Sequence, residues 1–259
     1  MDLGIAGRTA LVCASSRGLG KACAEALAAE GVNVVVNGRG EADLEATAHK
    51  LRERYDVEVT AVPGDVTTDD GRTAVLAACP APDILVNNNA GPAPTPFLDI
   101  TPVAWVKALD ANMLAAVQLI QAVLPQMRAR NFGRIVNITS AMVTTPRPSM
   151  QISSGPRAAL TAICKGLSIE VSPDNVTINN LLPERFDTDR QQFMARRAME
   201  RQGITYEEAR ANIIATIPAA RMGRPEEFGA TCAFVCSAYA GYMTGMNIHL
   251  DGGAYPGLV

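Results

Sequence analysis

The stretch Ala14-Ser15-Ser16-Arg17-Gly18-Leu19-Gly20 follows a short apolar run and opens an amphipathic one. Glycines at a strand-to-helix turn let the backbone approach a pyrophosphate and set it against the positive end of a helix dipole. Two more polar segments close later apolar runs: Asp65-Val66 and Asn87-Asn88-Asn89-Ala90-Gly91. In a parallel sheet both fall at the carboxyl edge of the strands, where the adenine and the nicotinamide ribose of a dinucleotide would rest. The candidate cofactor contacts from these segments are Ala14, Ser16, Arg17, Gly18, Leu19, Gly20, Asp65, Val66, Asn89, Ala90 and Gly91.

The choice of dinucleotide follows from charge. A carboxylate at the end of the second strand accepts hydrogen bonds from the ribose 2′-OH of NAD and repels the 2′-phosphate of NADP. Here that place reads Val36-Asn37-Gly38-Arg39, with no acid before Glu41. Asn37 takes the carboxylate's place, and Arg39 and Arg17 can flank a 2′-phosphate bidentately. NADP(H) is therefore expected over NAD(H).

The elements that must hold these groups alternate along the whole chain of 259 residues. Candidate strands are 8–14, 32–37, 58–62, 84–87, 134–139, 177–181 and 247–250, and amphipathic stretches occupy 18–30, 41–54, 69–79, 103–130, 156–171 and 225–238. Nearly all-apolar strands alternating with helices predict an α/β protein with a doubly wound, seven-stranded parallel sheet of the Rossmann type, helices on both faces. No linker, repeat or charge block divides the chain, so one domain is expected over 1–259. The longest break in the rhythm, 184–223, is expected to form a lid over a substrate.

Composition narrows the function classes. With 23 basic against 26 acidic residues the net charge is −3, which argues against nucleic acid as a partner. No run approaches about 18 continuous apolar residues, so no membrane span is expected. Only His49 and His249 are present and they stand far apart, so no histidine-rich metal site is expected. The six cysteines form no CxxC pair and no secretory leader opens the chain, which suggests a reducing, cytoplasmic setting. Cys232 and Cys236 fit core positions on one helix. The five tyrosines stand at 55, 206, 239, 242 and 255, leaving the middle of the chain without one.

The motifs resemble those of short-chain dehydrogenases/reductases. Cys13 to Gly20 is similar to that family's TGxxxGxG loop, and Asp83-Ile84-Leu85-Val86-Asn87-Asn88-Asn89-Ala90-Gly91 to its DILVNNAG segment with one extra Asn. Gly133 to Ser140 is similar to its GRIVNxxS strand, Met222 to Glu227 to its GxPEE, and Asp251-Gly252-Gly253 to its DGG. The flavour is that of β-ketoacyl-carrier-protein reductases. The resemblance implies a small-molecule carbonyl or alcohol substrate, and a homo-oligomer, often a tetramer, paired through the helices matching 103–130 and 156–171. Helix 103–130 carries the apolar stripe Val106, Leu109, Met113, Val117, Ile120, Val123 and Met127, with Leu114 and Leu119 off it.

The family's catalytic set is only half present. Asn112 and Ser140 match its asparagine and serine. Its tyrosine falls thirteen residues after the serine and its lysine four further on, and these places hold Ser153 and Arg157. Arg157-Ala158-Ala159-Leu160 continues like the family's KAAL, which fixes the register. A serine hydroxyl is a far weaker acid than a tyrosine, and a guanidinium relays protons poorly. Gly155-Pro156 is expected to start the helix late, with Ser153 or Ser154 as its cap. Pro183-Glu184-Arg185 replaces the Pro-Gly turn that brackets the nicotinamide in this family, and Thr188 fits its following threonine. Glu184 and Arg185 read as a surface pair worth little.

The expected function is an NADP(H)-dependent oxidoreductase interconverting a carbonyl and a secondary alcohol through an atypical site. Its proton donor could be a water held by Asn112 and Ser140, or Tyr206 delivered by the lid, with Arg157 stabilising an oxyanion. The alternative is a nucleotide-binding, weakly active or silent member serving as partner subunit or sensor. Halohydrin dehalogenases share an arginine at the place of Arg157, but they lack the dinucleotide loop kept here and need a tyrosine.

Overall fold

The computed structural model describes residues 1–258, so Val259, the last residue of the expected domain, lies outside it. Seven parallel strands form one sheet: β1 Thr9–Val12, β2 Asn33–Gly38, β3 Val59–Pro63, β4 Ile84–Asn87, β5 Gly133–Ile138, β6 Val176–Pro183 and β7 Asn247–Leu250. Their order, β3-β2-β1-β4-β5-β6-β7, reverses between β1 and β4, which opens a crevice at the carboxyl ends of those two strands. β4 and β7 fall on the expected residues, and the other strand ends shift by one or two.

Alternation along the strands feeds two cores. From β1, Ala10 and Val12 pack with α1 (Gly18–Ala29), α2 (Glu41–Arg54) and α9 (Pro225–Val235) on one face. Leu11 and Cys13 turn to the opposite face, against α3 (Asp69–Ala78), α5 (Ala115–Ala129) and α6 (Gln151–Val171). All six cysteines are buried free thiols, Cys232 and Cys236 among them.

Two helices depart from expectation. The 103–130 stretch is not one α-helix but α4 (Pro102–Leu109), a π-turn over Asp110–Leu114, and α5. The π-turn adds a residue to one turn and rotates α4 relative to α5. The buried stripe therefore runs through Ala108, Asn112, Ala115, Leu119, Ile120, Val123 and Met127, while Val106 is exposed. Together Pro102–Ala129 is long and apolar enough to cross a membrane by length and composition, although its apolar residues are not continuous. Its stripe packs on the sheet instead.

The second departure is α6, which begins at Gln151 and carries Pro156 inside it. Pro156 is still within the second turn, so only one early backbone bond is forfeited, and the packed face holds the helix together. Ser153 is thus a residue of the first turn, not its cap. The N-cap is Met150, and Ser154 Oγ donates back to the Met150 carbonyl at 3.2 Å. The 184–223 insert forms α7 (Asp189–Gln202) and α8 (Tyr206–Ala215), separated by Gly203 at φ 66°.

Candidate active site

A cleft of about 600 Å³ lies at the β1/β4 reversal. Its floor is the loop from β1 to α1. Gly18 sits at φ +59°, and a Cβ on Gly20 would come within 2.4 Å of the Ala14 carbonyl oxygen. Gly20 therefore serves packing beneath the loop and does not itself line the cleft, whereas Ala14, Ser16, Arg17, Gly18 and Leu19 do. The N-cap of α1, Arg17, has no side-chain capping bond, so the first N–H groups of the helix face the cleft without a side-chain acceptor. That is a ready anion site at a helix N-terminus.

At the adenine end the cleft is bordered by Asn37, Arg39, Asp65 and Val66. The amide nitrogen of Asn37 is already engaged. Its side chain donates to the carbonyls of Val62 at 3.0 Å and Gly64 at 3.1 Å, tying β2 to β3. Arg39 and Arg17 are instead 70% and 71% exposed, in loose pairs with Asp65 at 3.9 Å and Asp189 at 3.7 Å. Such surface pairs are weak and exchange readily for a phosphate. The donor set thus fits a dinucleotide: helix N–H groups at its centre and two available guanidiniums at the ribose end.

The opposite end gathers Asn89, Ala90, Gly91, Ser140, Ser153, Arg157, Pro183 and Thr188 around one space. Ser140 Oγ accepts the Met142 N–H at 3.2 Å, capping the turn after β5 and leaving its own proton to point elsewhere. Ser153 is buried in the first turn of α6, and among the described residues its hydroxyl has no hydrogen-bond partner. Arg157 is turned toward backbone: it donates to the carbonyls of Ile138 at 2.9 Å, Thr139 at 2.8 Å and Asn89 at 3.4 Å. Burial, with Arg190 nearby, pushes its guanidinium down to about 10, which leaves it charged at neutral pH. Three of its five N–H groups are thus already engaged by carbonyls.

Asn112 lies next to this cleft, across walls shared through Asn88, Asn89, Ile138 and Arg157. It lies in the π-turn and lines a small adjoining cavity of about 20 Å³, with Asn87 and Arg157 also on its wall. Asn112 Nδ2 donates to the Ala108 carbonyl at 3.3 Å, while the Oδ1 atoms of both Asn112 and Asn87 are buried without a partner. A space of this size, lined by polar groups, suits one water.

Two further expectations fail. Tyr206 opens α8 outside the cleft walls, beside Arg210, so it is no proton donor here. Glu184 and Arg185 are not a surface pair. Their side chains are only 8% and 17% exposed, both line the cleft, and Arg147 also binds the Glu184 carboxylate. The loop after β6 tucks under α7, which sequence spacing could not reveal. Sequence reading also missed an asparagine ladder across four strands. Asn87 Nδ2 donates to Asn137 Oδ1 at 2.9 Å, Asn137 to Asn180 at 3.0 Å, and Asn180 to Asn247 at 2.9 Å. Each pair is in register, a relation visible only once the strands are paired.

Known proteins resemble the chain over nearly its full length. The family model described as Enoyl-(Acyl carrier protein) reductase matches residues 13–255. The NADPH-dependent reductase BacG of Bacillus subtilis is 31% identical over 252 residues, covering 95% of this chain and 97% of that protein. The 3-oxoacyl-[acyl-carrier-protein] reductase FabG of Aquifex aeolicus is 29% identical, covering 98% and 100%. The structure of L-sorbose reductase from Gluconobacter frateurii, complexed with NADPH and L-sorbose, superposes with a TM-score of 0.94 at 31% identity, covering 100% of both chains.

Proposed function

The chain belongs to the short-chain dehydrogenase/reductase family, and from that premise we propose an NADP(H)-dependent oxidoreductase that interconverts a carbonyl and a secondary alcohol through an atypical site. The observation that carries this reading is the single cleft that joins the uncapped N-terminus of α1 to Ser140 and Ser153. NADP(H) is the dinucleotide that suits Arg17 and Arg39, and NADPH is the cofactor of BacG and of the sorbose reductase complex.

When bound, the reduced nicotinamide supplies a hydride to the carbonyl carbon. Ala14, Ser16, Gly18 and Leu19 hold the pyrophosphate at the α1 N-terminus, with Asp65 and Val66 beside the adenine. Asn89, Ala90, Gly91, Pro183 and Thr188 confine the nicotinamide end. The Ser140 hydroxyl donates to the substrate oxygen, which carries the charge that develops as the carbonyl is reduced. Ser153, with a free hydroxyl on the same side, passes a proton from solvent to that oxygen. Arg157 braces the β4 and β5 ends on which both depend and adds positive charge beneath the oxygen. Without a tuned general acid the rate falls short of an ordinary member by about 10²–10⁴-fold.

The insert 184–223 acts as a lid within one domain, with Arg190, Gln191 and Met194 of α7 facing the cleft. The chain assembles as a homo-oligomer, up to a tetramer, through exposed Val103, Val106, Leu114, Ile163 and Ile169 on α4, the π-turn and α6. It works in the cytoplasm.

A second reading, a nucleotide-binding partner subunit with little activity, is favoured by the engagement of Arg157 with backbone carbonyls. NADPH oxidation measured over a panel of ketones and oxo esters separates the two. Turnover lost on Ser140→Ala supports the oxidoreductase. Micromolar NADPH binding with no turnover across the panel overturns it in favour of the partner subunit.

A further inference from the structure

The substrate half of the cleft holds more positive charge than its neighbours neutralise. Arg157, Arg185 and Arg190 all line it. Arg147 adjoins them through Glu184, a carboxylate that it shares with Arg185 at 3.6 Å from Arg185 Nε, while Asp189, which also lines the cleft, pairs with Arg17 at 3.7 Å. Arg157 and Arg190 form no ion pair among the described residues. Arg190 reaches across the cleft from α7 and donates to the Pro92 carbonyl at 2.9 Å. Arg197, one turn pair further along α7, does the same to Pro94 at 3.0 Å.

Burying guanidiniums beside one another is costly unless an anion joins them. Burial and mutual repulsion depress Arg157, Arg185 and Arg190 alike: Arg190 acts on Arg157, Arg147 on Arg185 and Arg197 on Arg190. The anionic groups of the cofactor do not meet this need, because the α1 N-terminus, Arg17 and Arg39 serve them at the other end. Arg185 Nε is also buried without a hydrogen-bond partner. Met142, Met150 and Met194 supply apolar wall in the same half.

We propose that the substrate is a carbonyl compound bearing a carboxylate, an oxo acid reduced to its hydroxy acid, with Arg190 and Arg185 holding the carboxylate while Ser140 and Ser153 address the carbonyl. The inference rests on the oxidoreductase reading of the same cleft. A single negative charge suits the site better than a phosphate dianion, because Glu184 stands among the arginines.

The test compares acetoacetate, its methyl ester and dihydroxyacetone phosphate as substrates of the full chain with NADPH. Acetoacetate should exceed the ester at least tenfold in kcat/KM. Arg190→Gln, which removes the charge, should reduce that preference to under threefold through KM, with the NADPH Kd changed less than twofold. Parity of acid and ester, or preference for the phosphate ester, overturns the carboxylate assignment and leaves the reductase reading intact. If none of the three turns over, the ketone panel decides the reductase reading and binding decides the carboxylate assignment. Quenching of bound NADPH fluorescence by acetoacetate, tenfold tighter than by the ester and lost in Arg190→Gln, supports it. Equal binding of the two overturns it.

Discussion

The guanidinium of Arg157 donates to the carbonyl oxygen of Thr139 at 2.8 Å, one residue ahead of Ser140. A second bond from the same nitrogen reaches Ile138. Arg157 is thereby fastened to the end of β5, next to Ser140. Replacing Arg157 by Ala leaves both carbonyls buried without their donor. Hydrogen bonds to charged groups are worth about 1.5–3 kcal/mol. Arg157→Ala should lose about that much stability, read as a lower urea midpoint, and should cut turnover as well. An unchanged midpoint would mean that the neighbouring backbone finds other donors.

If, as proposed, the site works without a tuned general acid, supplying a tyrosine and a lysine at Ser153 and Arg157 should raise the rate. The double variant Ser153→Tyr with Arg157→Lys places that pair four residues apart on α6. Ketone reduction should accelerate by about 10²–10⁴-fold in kcat, measured by NADPH oxidation at saturating substrate. A rate no higher than that of the natural chain would show that the proton travels another route.

Arg39 should decide between the two dinucleotides. Arg39→Ala is expected to weaken NADPH binding about tenfold, or about 1.4 kcal/mol, while NADH binding changes less than twofold. Fluorescence titration of both cofactors checks it. Equal losses for the two would place Arg39 outside the 2′-phosphate's reach.

The asparagine ladder predicts a stability effect away from the cleft walls. Asn137→Leu removes the acceptor for Asn87 and the donor to Asn180 in a fully buried setting. Unmet buried polar groups cost about 1–3 kcal/mol, so the variant should unfold at lower urea with its NADPH affinity little altered. A neutral outcome would mean that the ladder re-pairs around leucine.

Glu227 carries an acid dependence. Arg221, then the Arg224 N–H, hold its carboxyl at about 2, below the ordinary 4.5. A depressed carboxylate stabilises the fold above its unfolded value, and that contribution disappears as pH falls through its folded one. The difference in Tm between the natural chain and Glu227→Gln should therefore be largest near pH 6 and shrink between about 4.5 and about 2. Because the pair is exposed, the whole effect is small and should fade with salt. A difference independent of pH would assign it to the helix cap alone.

Alternating apolar strands and amphipathic helices determined the α/β class and both cores, because burial on each face imposes those periods locally. The glycine loop was equally legible, since a close backbone approach restricts residue type wherever it occurs. The identities of Ser153 and Arg157 were also plain from spacing. Their roles were not. Spacing across Gly155-Pro156 suggested a late helix start, whereas packing of α6 against the sheet overrides one lost backbone bond and puts Ser153 on the cleft wall. Only the tertiary structure shows that Asn112 lies in a π-turn, on the wall of a small cavity that adjoins the cleft. The chain reversal at α7 brings Arg190 across to Pro92, and β6 carries Glu184 and Arg185 beneath it. Charges distant in sequence become neighbours there because the parallel sheet brings separate loops to one edge, and no local pattern records which loops will meet.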